Sequence, residues 1–166
     1  MPTDKKEISP EKARLKMATL CARSEQCEDD ILKKLRNLGL SFSDAKDIVN
    51  NLKIEKFIDH RRFASNFAHD KVKFAYWGPR KIKAALAAKR IESSFISEAL
   101  NEIEDSDWEA AVMKCARSKA RNLDLRGDEN YDNRKKLFVY LVGRGFTSPQ
   151  SNKAVRVLKE QQMKEE

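Results

Sequence analysis

Apolar residues recur along the chain at helical spacing. Ile31, Leu35 and Leu38 stand at i, i+4 and i+7, on one helical face. Before them, Ala13–Ala22 carries Leu15, Ala18, Leu20 and Cys21 between Arg14, Lys16 and Arg23. After them, Gly39 stands where a helix C′ residue belongs, because glycine enters the left-handed region cheaply. Ser41 opens a third helix with the stripe Ala45, Ile48, Val49 and Leu52. Ser41-x-x-Asp44 reads as a capping box with Asp in place of Glu.

The plan repeats. An offset of 106 carries Ile31, Leu35, Gly39, Leu40, Ile48, Val49 and Leu52 onto Leu137, Leu141, Gly145, Phe146, Ala154, Val155 and Leu158. It also carries the capping box onto Thr147-x-x-Gln150. An offset of 51 reaches Ile82, Leu86, Ile91, Ala99, Leu100 and Ile103 without a gap. Apolar class, cap and C′ residue matching together mark a true internal repeat of about fifty residues. Three tandem three-helix repeats are expected, at 13–58, 59–104 and 105–160. Residues 1–12 and 161–166 are expected to be disordered tails. The stretch Asn122–Asp132, with Gly127 and four acids, reads as a flexible loop. Units of this size are marginal alone and are expected to stack.

Caps support these boundaries. Asp59 suits an N-cap. Gly78-Pro79 puts proline at N1, where its missing N–H is harmless, and sets Trp77 and Ile82 at hydrophobic-staple spacing. Arg90 breaks the pattern, standing where the other repeats have Gly39 and Gly145. Either that turn differs or the repeat tolerates a strain of roughly 1 kcal/mol.

Composition narrows the chemistry. Five glycines and four prolines in 166 residues are too few for an all-β chain or for the clustered glycines of a phosphate-binding loop. Thirty-four Lys and Arg against 26 Asp and Glu give a net charge of +8, which favours an anionic partner. Three cysteines, Cys21, Cys27 and Cys115, make neither a disulfide framework nor a metal motif. Cys21 and Cys115 read as core, and Cys27 as a weak N-cap. No signal peptide and no membrane span is visible, so a soluble cytoplasmic protein without a cofactor is expected.

The positive charge is uneven. Residues 59–103 carry net +4 and each flanking third net +2. From Lys71 to Ile91 there are seven bases and no acid: Lys71, Lys73, Arg80, Lys81, Lys83, Lys89 and Arg90. This run is the candidate anion-binding face, with Arg144 as an eighth, lesser member. It could track phosphates and would then weaken with salt. Phe74, Tyr76 and Trp77 within it either stack on bases or pack as core. A second basic run, Lys114, Arg117, Lys119 and Arg121, has i, i+3 or i+4 neighbours that can share one helix face. Only two histidines, His60 and His69, are available to a metal-dependent hydrolase.

Four segments resemble the RecX regulators of the RecA recombinase. Phe57-Ile58-Asp59-His60-Arg61-Arg62-Phe63-Ala64 is similar to that family's "lidDxRFA" segment. Gly78-Pro79-Arg80-Lys81-Ile82 through Leu86 and Lys89-Arg90-Ile91 is similar to "GPxxIxxxLxxKGI". Arg134–Thr147, with Arg144-Gly145-Phe146-Thr147, is similar to "fLxrRGFs". Leu20–Arg23 with Asp30-Ile31-Leu32 and Leu35 resembles the opening segment. Cys27 departs from the usual Ser or Thr, and Arg90 from the usual Gly.

The resemblance spans about residues 13–158. It implies an all-α protein of three tandem three-helix repeats stacked into a curved, elongated, right-angled array. It further implies a non-enzymatic regulator, mainly an inhibitor, that binds the RecA filament on single-stranded DNA and suppresses recombinase, ATPase and co-protease activities. The alternative is a helical module that binds DNA weakly and directly. The third helices begin Ser41-Phe42-Ser43-Asp44, Ser93-Ser94-Phe95-Ile96 and Thr147-Ser148-Pro149-Gln150, poor in base-reading side chains, so that binding would lack sequence specificity. A monomer is expected, since no coiled-coil seam argues for a dimer.

Overall fold

The computed structural model describes residues 8–165. Most of the expected N-terminal tail, and residue 166, lie outside the described residues. Within them the chain forms nine α-helices and no strand. These are α1 (Pro10–Arg23), α2 (Glu28–Asn37), α3 (Phe42–Ile54), α4 (His60–Ala75), α5 (Pro79–Ala88), α6 (Ser93–Asn101), α7 (Asp105–Ala120), α8 (Tyr131–Gly143) and α9 (Ser148–Lys164). Helix α1 starts inside the segment read as a tail, because Ser9 caps it and Pro10 fits its first position. Helix α9 likewise runs into the expected C-terminal tail.

One turn recurs three times. Leu40 N–H reaches the Leu35 carbonyl at 3.3 Å and Gly39 N–H the Arg36 carbonyl at 3.0 Å, a Schellman termination. Ile91 and Arg90 repeat it on Leu86 and Ala87, and Phe146 and Gly145 on Leu141 and Val142. Arg90 therefore tolerates the strain, at φ +59°, where Gly39 and Gly145 sit at +93° and +94°. Lys56 and Tyr76 also adopt positive φ, at the ends of α3 and α4. Arg90→Gly is expected to relieve roughly 1 kcal/mol and raise the melting temperature by about 2–4 °C, read by circular dichroism.

The caps vary with side-chain length. Thr147 and Gln150 make both legs of a capping box. Ser41 accepts from Asp44 N–H at 3.0 Å, but the shorter Asp44 carboxylate takes the Ser41 hydroxyl at 2.8 Å instead of returning to the backbone. Asp59 accepts from Arg62 N–H at 2.9 Å. Cys27 makes no side-chain cap bond; it is fully buried, and burial pushes its thiol pKa up.

The chain divides into two compact units. The first holds the residues up to Asn66 and Leu86–Ile96. Its core gathers Met17 of α1, Ile31 and Leu35 of α2, Ile48, Val49 and Leu52 of α3, with Leu40 and Ile58. The second holds Phe67–Ala85 and everything from Ser97. There α7, α8 and α9 pack pairwise, burying Trp108, Val112, Cys115, Leu137, Leu141, Ala154 and Leu158.

The stretch read as a flexible loop is instead pinned. Leu125 is fully buried, and its N–H donates to the Gln162 side chain at 2.8 Å. Gln162 returns a bond to the Leu123 carbonyl at 2.9 Å, and Arg134 reaches the Leu125 carbonyl at 2.8 Å.

Ser151, the counterpart of Ala45, is fully buried, and its hydroxyl has no hydrogen-bond partner among the described residues. Ser151→Ala is expected to stabilise the chain by about 1 kcal/mol, read as a higher urea midpoint.

Candidate interaction surface

The basic run is carried by the end of α4, the start of α5 and the turn after α5. Helix α4 ends where Tyr76 turns to φ +52° and Trp77 N–H reaches back to the Lys71 carbonyl at 3.1 Å. Gly78 then lies against the turn that follows α8. Its N–H donates to the Arg144 carbonyl at 2.9 Å, and Arg80 N–H donates to the Gly145 carbonyl at 2.9 Å. A Cβ on Gly78 would stand 2.2 Å from the Gly145 carbonyl carbon and the Phe146 nitrogen. A Cβ on Gly145 would stand 2.4 Å from Lys81 Cβ. The Arg144 guanidinium donates to the Ala75 carbonyl at the end of α4. The Gly-Pro and Arg-Gly-Phe segments, far apart in sequence, are thus the two halves of one backbone junction.

This junction sets Trp77 among cations. Lys71 and Lys81 place their ammonium groups 4.8 and 4.5 Å from the indole centroid. Phe67 meets Trp77 edge-on, with centroids 6.3 Å apart, and Lys71 also lies 5.2 Å from the Phe67 ring. Two like charges converge because the electron-rich ring face attracts both. The pairs Phe67–Lys71 and Trp77–Lys81 are each four residues apart, a signal present in the sequence but not read as a cluster. With lysines seated on its ring, Trp77 is a packing element and not a base-stacking plate. Phe74 is different: it is 71% exposed, with Lys73 5.6 Å from its ring.

The eight expected contact residues separate. Lys71, Lys73, Arg80, Lys81 and Lys83 lie in the second unit and hold no carboxylate among the described residues. Lys73, Arg80 and Lys83 are exposed. Arg144 is in the same unit, but its guanidinium serves the junction.

Lys89 and Arg90 belong to the first unit and face the acidic start of α2. Lys89 contacts Asp30 at 2.7 Å, and Arg90 contacts Asp29 at 3.7 Å while its side chain stays 86% exposed. Burial pushes the Asp30 carboxyl up, but hydrogen bonds from Lys89 and Cys27 outweigh it and hold the carboxyl below its ordinary range. A depressed carboxyl stabilises the fold at neutral pH, and that contribution is lost as the pH falls through its folded pKa.

The two histidines lie in different units. His60 lies 2.9 Å from Glu92 and 3.7 Å from Glu28, in the first unit. His69 is exposed in the second. Among the described residues no cluster of three or more His, Cys, Asp or Glu is placed to hold a metal. Nor is any described helix long and apolar enough to cross a membrane.

Comparison with known proteins agrees with these motifs. The family model for the second three-helix domain of RecX matches residues 59–100, which hold the Gly-Pro half of the junction. The regulatory protein RecX of Chlorobium phaeobacteroides (strain BS1) is 30% identical over 129 residues, covering 78% of this chain and 82% of that protein. The regulatory protein RecX of Clostridium botulinum (strain Eklund 17B / Type B) is 26% identical over 124 residues, 75% of this chain. The chain spans 58% of the length of that clostridial relative. The crystal structure of RecX from Lactobacillus salivarius has the same fold, with a TM-score of 0.75 at 18% identity over 90% of this chain and 96% of that one. With a relative this similar aligned along most of both sequences, and the middle repeat matched by the family's own second domain, the chain belongs to the RecX family of regulatory proteins.

Proposed function

We propose that the chain regulates the RecA recombinase, mainly as an inhibitor, by binding the RecA filament on single-stranded DNA. On this reading it suppresses strand exchange, ATP hydrolysis and co-protease activity without a catalytic step of its own. The observation that carries the reading is the set Lys71, Lys73, Arg80, Lys81 and Lys83, which hold no carboxylate among the described residues and lie in one unit with the Gly78–Gly145 junction. Family membership supplies the partner class, and the cations suit an acidic protein face or a phosphate backbone.

Within this face Lys73, Arg80 and Lys83 make the contacts, while Lys71 and Lys81 are positioned by Trp77. Lys89 and Arg90 belong to the internal ion pairs of the first unit. Arg144 supports the face by fixing the end of α4.

The test is the ATPase activity of the cognate RecA on single-stranded DNA, titrated with the folded chain. Inhibition well below one chain per RecA is expected, because a filament is sensitive to a few occupied sites. No effect at equimolar chain refutes the proposal.

The second reading, direct DNA binding without sequence preference, draws on the same cations. It predicts salt-sensitive binding to bare single strands that accounts for all of the ATPase inhibition.

A further inference from the structure

Lys119, one residue of the second basic run, meets Lys135, Lys136 and the apolar residues of α8 in a groove that the proposed filament face does not use. It measures about 560 Å³ and lies within the second unit, beside the end of α7 and along α8. Leu123, Val139 and Tyr140 supply its apolar lining. Lys119, Lys135 and Lys136 stand around it, with Asp132 as the one acid.

Helix α8 turns Leu137 and Leu141 into the core. On its other side Val139 is left 58% exposed between lysines. A branched aliphatic residue there contributes nothing to the core of this chain. Lys135 and Lys136 make no ion pair among the described residues, so their charge is uncompensated.

We propose that this groove docks an acidic amphipathic peptide segment of a partner protein. Its apolar side chains would rest on Val139, Leu123 and Tyr140, and its carboxylates would face Lys119, Lys135 and Lys136. The charge complementarity is direct: three cations and one acid around an aliphatic lining. A volume of this order accepts several apolar side chains, which suits the i, i+3, i+4 anchors of a docked helix. Lysine serves such a rim well, because a flexible point charge accepts carboxylates without strict geometry. A nucleic-acid strand fits less well. Successive bases stack on a series of rings, and this groove offers one, Tyr140, with Lys119 5.1 Å from its centroid. The groove shares no residue with the face on α4 and α5, so the two proposals stand or fall separately.

The test titrates the isotope-labelled full chain with a fluorescein-tagged helical peptide of about four turns, built from Glu with Leu at i, i+3, i+4 and i+7. Amide shifts confined to α8 and the end of α7 are expected. Affinity is expected to fall about tenfold in the double variant Lys135→Glu, Lys136→Glu, and about tenfold for the same peptide with Gln in place of Glu. Val139→Ser, a change at an exposed site, is expected to weaken binding with the melting temperature unchanged.

Four results overturn the proposal: no shifts on α8; equal affinity for the Glu and Gln peptides; an oligothymidine strand giving the same shifts more tightly; or shifts on α8 that follow chain concentration without peptide, which would make a second copy the occupant.

Discussion

Gly78→Ala is expected to lower the melting temperature by about 6–12 °C. The added Cβ would stand 2.2 Å from the Gly145 carbonyl carbon and from the Phe146 nitrogen. Both are backbone atoms, so no side-chain rotation relieves the clash. Either α5 lifts from the turn after α8, losing the bonds of Gly78 and Arg80 N–H, or both backbones distort. Overpacking of this kind costs about 3 kcal/mol. Gly143→Ala is the control, because a Cβ there meets nothing within 4 Å; it is expected to be neutral or slightly stabilising, since alanine favours the helix. The measurement is thermal unfolding followed by circular dichroism. A melting temperature for Gly78→Ala within a degree or so of the parent would mean that the junction is not tight in solution.

Reversing two exposed charges is expected to separate function from folding. On the proposed function, Arg80→Glu with Lys83→Glu weakens the inhibition of RecA ATPase roughly ten- to hundredfold, with helicity and melting temperature preserved. Both side chains are exposed and hold no carboxylate among the described residues, so reversing them breaks no ion pair there. Lys81 makes a poorer test, although it is equally basic. Its ammonium lies on Trp77, and its Cβ is the atom that a Cβ on Gly145 would meet. Lys89→Glu carries the opposite expectation: loss of stability through Asp30, with the filament face intact. Full inhibition by the Arg80, Lys83 variant would move the contact face elsewhere on the chain.

The local plan was legible because it is written in short-range spacing. The apolar stripes, the Thr147–Gln150 capping box and the left-handed residues at Gly39 and Gly145 depend on neighbours within a turn or two of helix. Arg90 shows that the repeat outweighs the residue. The same hydrogen bonds close its turn as close the glycine turns, with the side chain turned out to solvent. The Ser41 cap was half legible: the serine bond forms, and the reach of the aspartate decides that the second leg does not. The loop before α8 was misread because its polar composition suggested mobility. Gln162 of α9, 37 residues after Leu125, ties it down.

The basic run shows the same division. An acid-free stretch with seven bases is a linear property, visible in the sequence, and so are the helices that carry it. Which of those bases stay free is a property of distant partners. Lys89 is neutralised by Asp30, 59 residues before it. Arg144 is taken up by the Ala75 carbonyl, 69 residues before it, and Trp77 gathers Lys71 and Lys81 from two helices. Charge and periodicity are counted along the chain and survive any arrangement of the helices. Ion pairing, ring contacts and the two-glycine junction act over a few ångströms, so they exist only once folding has brought those residues together.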